Sequence, residues 1–262
     1  MNTLKRSLVE KAGYENGWEV ALSDEPSKVG ETPVRLASAR HGAVAAVTDL
    51  ERLSPEVEMF FTVCFENGPE TLVRELARET GTEGHSFEVS DYGGLSALLC
   101  RASQLAMFLP RNAEELFVKK TAEAMKILEI SATETERMVR QRVGQDVFRY
   151  ALMRYWENAC AVTGISQPEI LRASHAKPWA DCESDAERLD AYNGLLLTAN
   201  LDALFDRGLI SFGSDGILLI GNALSDEIVR QLGLDKNLRM RWIAPEHQKY
   251  LDWHRSRVFR RI

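Results

Sequence analysis

Short apolar runs separated by turn-rich segments dominate the first 110 residues of the chain. Runs of this length, bounded by Gly, Pro, Asp and Ser, are typical of strands. We predict strands over residues 18–22, 34–37, 43–48 and 86–89. Helical spacing of the apolar residues predicts helices over 4–12, 70–80 and 95–109. Together they predict an N-terminal mixed α/β domain at residues 1–110, in a chain of the α+β class.

Residues 112–157 have the composition of long helices. The stretch holds no proline and a single glycine, Gly144, and it is rich in Ala, Glu, Lys, Met and Arg. We predict two helices, over about 112–128 and 133–157, which form a helical connector at residues 111–157. An apolar stripe on the second helix either packs within the chain or forms a homodimer with a second copy; its members are Val139, Val143, Val147, Ala151 and Tyr155.

Short elements return in the third segment, residues 158–262. The pattern predicts strands over 171–175 and 195–198, a helix over 199–206, and a hairpin of 209–212 with 217–220 around a Gly-Ser-Asp-Gly turn. A further helix is predicted over 225–232, and a tail that mixes basic and aromatic residues follows. We expect this segment to be a third, C-terminal domain.

The net charge of −7 at first argues against a nucleic-acid partner, but the charges are unevenly distributed. Residues 236–262 carry eight basic and two acidic side chains. A second group of arginines lies between residues 137 and 154. Phosphate contacts could come from either segment, and a solvated surface explains each of them about as well.

Composition argues against membrane and disulfide-framework classes of protein. No apolar run approaches the roughly 18–20 residues that span a bilayer, and the polar N-terminus predicts no secretory signal. Four cysteines are far apart and form no CxxC pair, so neither a zinc ribbon nor a disulfide framework is expected. We therefore expect a cytoplasmic protein without a membrane partner.

A histidine, an asparagine and two aspartates carry the candidate chemistry. Asn193 follows His175 by 18 residues, Asp202 comes 9 residues later, and Asp206 another 4. A neutral imidazole suits a general base, because its ordinary pKa is near 6.5. Carboxylates four positions apart project from the same face of a helix, and carboxylates are the ligands that hard divalent cations prefer. This combination suits metal-assisted hydrolysis of a phosphodiester.

The segments around these residues resemble the HNH endonucleases, a family built on a ββα unit that holds one divalent metal. The resemblance rests on Ser174-His175-Ala176-Lys177-Pro178-Trp179, Asn193-Gly194-Leu195-Leu196-Leu197 and Leu204-Phe205-Asp206-Arg207-Gly208. It implies a C-terminal ββα-metal nuclease domain that cleaves double-stranded DNA. His175 would be the general base, Asn193 would orient it by hydrogen bonding, and Asp202 and Asp206 would bind Mg²⁺ or Mn²⁺.

Further roles follow from the same resemblance. Ser174 stands where many members have an Asp or His ligand, so we expect it to be a weak metal ligand. The predicted DNA contacts are Lys177 and Arg207, together with four arginines that we choose because the tail is the most basic part of the chain: Arg255, Arg257, Arg260 and Arg261. The resemblance also suggests a role in restriction or antiviral defence, with residues 1–110 supplying specificity, sensing or regulation through an unidentified signal or protein. The alternative is a catalytically inactive nucleic-acid-binding or protein-interaction module on the same scaffold, which Ser174 favours.

Overall fold

The computed structural model describes residues 1–22, 33–50, 60–67, 70–108, 110–128, 133–235 and 237–260. The chain divides into two compact units, Met1–Leu109 and Pro110–Ile262. The fold is of the predicted α+β class, with a sheet and helices in the first unit and small sheets among helices in the second. Within the described residues, no helix has both the length and the apolar character needed to cross a bilayer.

The first unit is built on a five-stranded antiparallel sheet in which the strands follow sequence order. The strands are β1 (Val20–Ala21), β2 (Val34–Ala37), β3 (Val44–Asp49), β4 (Phe61–Glu66) and β5 (Ser86–Val89). Four of them confirm the predicted strands, whereas β4 was not predicted. Alternate side chains of β2, including Val34 and Leu36, are buried, as expected for a sheet with one face on the core.

Three helices accompany this sheet: α1 (Thr3–Glu15), α2 (Glu70–Thr80) and α3 (Tyr92–Phe108). The side chain of Asn2 caps α1 by accepting a hydrogen bond from the amide of Lys5. Both α1 and α2 pack against α3, and α1 also contacts β2. Trp18, almost fully buried, donates its indole N–H to the carbonyl of Leu99 at 2.9 Å. These contacts give the first unit its own core.

The second unit begins with two long helices, α4 (Pro110–Leu128) and α5 (Thr133–Tyr155), close to the predicted bounds. These helices belong to the second unit itself, because α4 packs on α5 and on α6 (Asp185–Leu189). The stripe that we considered for a homodimer is largely used internally. Val147, Ala151 and Tyr155 are buried in the unit's own core, so these three of its five members are not available to a second copy.

A ββα unit follows, as the resemblance implied. Strand β6 (Leu171–His175) pairs antiparallel with β7 (Gly194–Thr198), so that His175 lies opposite Gly194. Helix α7 (Ala199–Asp206) starts directly after β7 and packs on both strands. Helix α5 lies against the opposite side so closely that a Cβ on Gly194 would come within 2.4 Å of the Phe148 ring. Glycine at position 194 therefore permits the approach of α5 to the ββα unit.

The C-terminal elements complete the unit. Strands β8 (Ile210–Phe212) and β9 (Leu218–Ile220) form the predicted hairpin, and α8 (Asp226–Gln231) matches the predicted helix. The tail contains a helix that was not predicted, α9 (His247–Arg257), which packs against β8 and a short turn at residues 191–193. Helix α9 also contacts the ββα unit, because His254 of α9 hydrogen-bonds to the carbonyl of Phe205 in α7.

Candidate active site

A cleft of about 340 Å³ lies where β6, the end of α7 and α9 meet. Strand β6 brings Ser174 and His175 to it, α7 brings Asp206, and α9 brings His254. The complete lining is Ala173, Ser174, His175, Pro178, Trp179, Asp206, His254 and Val258. Three of the sequence-predicted site residues, Ser174, His175 and Asp206, are therefore brought to one cavity.

His175 is held by an aromatic stack and one hydrogen bond. Its ring stacks on Phe148 of α5 at a centroid distance of 3.6 Å, and Trp179 meets it edge-on at 6.0 Å. Nε2 lies 2.9 Å from the carbonyl oxygen of Arg188. Because a carbonyl oxygen only accepts hydrogen bonds, Nε2 carries the proton and Nδ1 keeps its lone pair.

Burial also sets the charge of this imidazole. Desolvation by the surrounding protein lowers the pKa of His175 to about 4, and the hydrogen bond to Arg188 only partly opposes this effect. The ring is therefore neutral at pH 7. Among the described residues Nδ1 has no hydrogen-bond partner, so this nitrogen is free to accept a proton from a molecule in the cleft.

Asp202 and Asp206 lie on the same side of α7 and influence each other. Desolvation is the main cause that raises the pKa of both carboxyl groups, and the charge of Asp202 raises the pKa of Asp206 further. The hydroxyl of Ser174 donates a hydrogen bond to Asp206 Oδ1 at 3.1 Å and also favours the ionised form of Asp202. Ser174 thus ties β6 to the carboxylate pair.

The donors at this position suit a hard divalent cation. Two partly desolvated carboxylates that repel each other, with a hydroxyl beside them, gain from a cation placed among them. The described residues contain no group of three or more His, Cys, Asp or Glu side chains arranged as a metal site. The two carboxylates and the hydroxyl fit an ion such as Mg²⁺, because Mg²⁺ commonly takes one or two carboxylates and keeps several waters.

Asn193 corrects one expectation that the resemblance gave. Its side chain does not hydrogen-bond His175: Oδ1 accepts from the amide of Lys177 at 2.8 Å, and Nδ2 donates to the carbonyls of Lys177 and Glu187, each at 3.1 Å. Asn193 is fully buried. It therefore fixes the loop that leaves β6, and the carbonyl of Arg188 orients the histidine instead.

Lys177 is a second correction. Its ammonium group pairs with both carboxylate oxygens of Glu187, at 2.9 and 3.0 Å, and the residue is buried. The same pair raises the pKa of Lys177 and holds the pKa of Glu187 below its usual value. A lysine committed in this way stabilises the loop after β6, and it does not present a free charge to DNA.

The remaining predicted DNA contacts have different environments. Arg207 is exposed directly after Asp206, and Arg257 and Arg260 are exposed at the end of α9. Arg255 is different, because its guanidinium donates to the carbonyl of Phe212 at 2.7 Å and pairs with Asp252. Arg255 therefore links α9 to β8, and its charge is paired rather than presented to DNA. Arg261 lies outside the described residues.

His254 lines the cleft but was not among the predicted site residues. It is buried, and its ring stacks on Phe205 at 3.8 Å. Nε2 donates to the carbonyl of Phe205 at 3.0 Å, and Nδ1 accepts from the hydroxyl of Ser211 at 2.9 Å. The sequence signal for this role is a helical spacing of residues that marks the buried face of α9: His247, Tyr250, Leu251 and His254.

Because both nitrogens of His254 are occupied, this residue does not serve as a base. Desolvation lowers its pKa to about 4, so it stays neutral. Its bond to the carbonyl at the end of α7 fixes the turn from which Asp206 projects. His254 is thus a positioning residue in the wall of the cleft.

Comparison with known proteins agrees with this geometry for part of the chain. No curated protein matches it. Residues 160–213, which are 54 of the 262, match the HNH endonuclease family model. That segment includes β6, β7, α7 and β8, and with them the histidine, the asparagine and both aspartates. This chain therefore carries an HNH endonuclease domain at residues 160–213.

Proposed function

We propose that the protein is a metal-dependent DNA endonuclease that hydrolyses phosphodiester bonds. The observation that carries the proposal is that Ser174, His175 and Asp206 line one cleft inside the segment that matches the HNH endonuclease family. A neutral histidine with a free ring nitrogen beside a carboxylate pair is suited to hydrolysis of a phosphate ester.

In this proposal His175 is the general base. Its Nε2–H is held by the Arg188 carbonyl, so Nδ1 is the atom that takes a proton from the attacking water. The stack on Phe148 fixes the plane of the ring, and Trp179 restricts its tilt. A base fixed in this way needs little reorganisation when the water is deprotonated.

Asp202 and Asp206, with the hydroxyl of Ser174 beside them, would hold Mg²⁺ or Mn²⁺. When bound, the ion supplies Lewis-acid stabilisation of the charge that develops on the phosphate and the leaving oxygen. The carboxylates hold that position from α7, and His254 fixes the end of the same helix. Arg207, Arg257 and Arg260 are the exposed cations that we propose as contacts to DNA phosphates.

The experiment is cleavage of a supercoiled plasmid by the full chain with Mg²⁺, Mn²⁺ or EDTA. We expect nicked and linear products with either metal and none with EDTA. His175→Ala should reduce the rate by roughly 10²–10⁴-fold, the usual contribution of a general base. His175→Gln retains a donor for the Arg188 carbonyl but cannot accept the proton, so it should lose as much activity while melting closer to the wild type.

The matched control is His85→Ala, because His85 is an exposed histidine in the first unit. Near wild-type cleavage by a folded His175→Gln protein would contradict the assignment of the base. Absence of cleavage by the wild type with every metal, together with tight DNA binding, would favour the alternative, an inactive binding module. A role in restriction or antiviral defence is proposed from the resemblance, and phage plating on cells that carry the wild type or His175→Gln would test it.

A further inference from the structure

A second cavity, of about 660 Å³, adjoins the active cleft, since Pro178 and Trp179 line both. Its other walls come from α4, α5, α6 and the turn after Trp179. Its lining includes Arg137, Arg140, Gln141, Asp185 and Arg188. We call this cavity the arginine groove. Its volume is within the roughly 300–1,000 Å³ that encloses an organic ligand of moderate size.

One face of α5 builds the long wall of the arginine groove. Residues 137, 140, 141 and 144 lie three and four positions apart, so they share a side of the helix. At the end of this stripe, the indole of Trp179 lies on Gly144, where a Cβ would come within 2.1 Å of its ring. Glycine at position 144 therefore leaves room for the Trp179 ring, which lies between the groove and His175.

The groove carries an excess of positive charge beside an aromatic ring. Three arginines and one acid line it, and Asp185 pairs with Arg140 at 2.7 Å and with Arg188 at 3.1 Å. Arg137 is exposed, and the guanidinium of Arg188 lies 5.7 Å from the centre of the Trp179 ring. Guanidinium groups next to an aromatic side chain are the combination that binds single-stranded nucleic acid.

We propose that the arginine groove binds unpaired nucleotides of the strand whose phosphate lies in the active cleft. This inference rests on the proposed function. We assign a nucleic-acid strand as the occupant because the two cavities share the Trp179 wall, so a strand with its phosphate in the cleft can continue into the arginine groove. Arg137 and Arg140 would contact phosphates, and Trp179 would contact a base. A duplex alone, whose bases are stacked, would not use this ring.

The test is equilibrium binding of the full chain in EDTA, so that no cleavage occurs. The probes are a labelled single-stranded twelve-nucleotide DNA, a blunt duplex, and the same duplex with a single-stranded overhang. Arg137→Gln is the main variant, because its side chain is exposed. Arg140→Gln is a secondary variant, because it also breaks the ion pair between Arg140 and Asp185 and its folding must be checked by a melting curve. Arg142→Gln is the matched control, an exposed arginine on another side of α5 that does not line the groove.

We expect the wild type to bind the overhang duplex more tightly than the blunt one, and Arg137→Gln to remove most of that difference. The slope of log affinity against log salt for the single strand should fall by about 0.7, the value for one lost phosphate contact. Arg142→Gln should change neither quantity. Binding should also quench tryptophan fluorescence in the wild type, and Trp179→Phe should abolish that part of the signal.

Equal affinity of the wild type for blunt and overhang duplexes would overturn the inference, and so would equal effects of Arg137→Gln and Arg142→Gln. The proposed function fails separately, because it depends on plasmid cleavage and this test does not. Loss of the overhang preference in Arg137→Gln supports the arginine groove even for a chain that never cleaves.

Discussion

At the residue scale, two histidines with similar environments have different roles because of one hydrogen bond. Burial holds the pKa of both His175 and His254 near 4, and each donates Nε2–H to a backbone carbonyl. The Nδ1 atom of His254 is taken by Ser211, whereas Nδ1 of His175 has no hydrogen-bond partner among the described residues. Only the environment of His175 leaves a ring nitrogen that can accept a proton, so His175 is the candidate base.

The pH dependence of cleavage tests this environment. A general base acts when deprotonated, so a lowered pKa moves the loss of activity to lower pH. We expect the rate to hold as pH falls from 8 through 6.5 and to drop only as it approaches 5 or below, towards the pKa of about 4. Initial rates at saturating metal, with melting curves at each pH to confirm folding, measure it. A half-loss near pH 6.5 would mean that His175 is not desolvated.

The sequence predicted some of the residues that line the cleft, but not how they are held. His175 and Asp206 were expected together, and both line the cleft. The partner of His175 is the main-chain carbonyl of Arg188 in α6, and a residue pattern carries no information about which main-chain group a side chain contacts. The roles of Asn193 and Lys177 were mispredicted for the same reason, because their side chains make hydrogen bonds and an ion pair that stabilise the loop after β6.

At the element scale, strands and helices with apolar side chains at a regular period were predicted, and those with another pattern were missed. The bounds of β2, β5, β6 and α7 agree with the sequence prediction. Strand β4 has a nearly continuous apolar run, which does not separate strand from helix by periodicity. Helix α9 was not predicted because two of its four buried positions are histidines, so its buried face lacks the apolar stripe that indicates an amphipathic helix.

Helix α7 permits a prediction for the carboxylate pair that does not depend on activity. Replacing Asp202 or Asp206 by Asn removes like-charge repulsion, so in EDTA each variant should melt a few degrees higher than the wild type, roughly 2–4 °C per kcal/mol relieved. Mg²⁺ or Mn²⁺ should raise the melting temperature of the wild type and should stabilise the variants much less. Differential scanning fluorimetry with and without metal measures both effects.

Cleavage assays extend the same prediction. Each Asn variant should need more metal for activity, and the double variant should lose little more than the worse single one, because two ligands of one ion act as a unit. Asp146→Asn, an exposed aspartate on α5, is the control for removing a carboxylate. Independent, additive losses, or a wild type whose melting does not respond to metal, would argue against a shared ion.

At the scale of the whole molecule, charge separates the two units. Residues 1–109 contain 10 basic and 17 acidic side chains, whereas residues 110–262 contain 22 of each, so the whole net charge of −7 belongs to the first unit. The candidate active site and the arginine groove both lie in the neutral unit. We propose from this division that the first unit supplies specificity, sensing or regulation, while nucleic-acid binding and cleavage belong to the second.

Removing the first unit tests that division. A protein of residues 110–262 should retain metal-dependent cleavage, because the cleft residues and the elements that position them all lie within it.

At low salt this fragment should bind DNA faster than the full chain, since it lacks the net charge of −7 on the first unit, which repels the DNA phosphates. Above a few hundred millimolar salt the two association rates should converge, because the screening length, about 8 Å at 0.15 M, falls further towards about 3 Å at 1 M. Stopped-flow association over a salt series, with circular dichroism to confirm folding, measures this. A folded fragment that binds DNA but cannot cleave it would mean that the first unit contributes to the reaction itself.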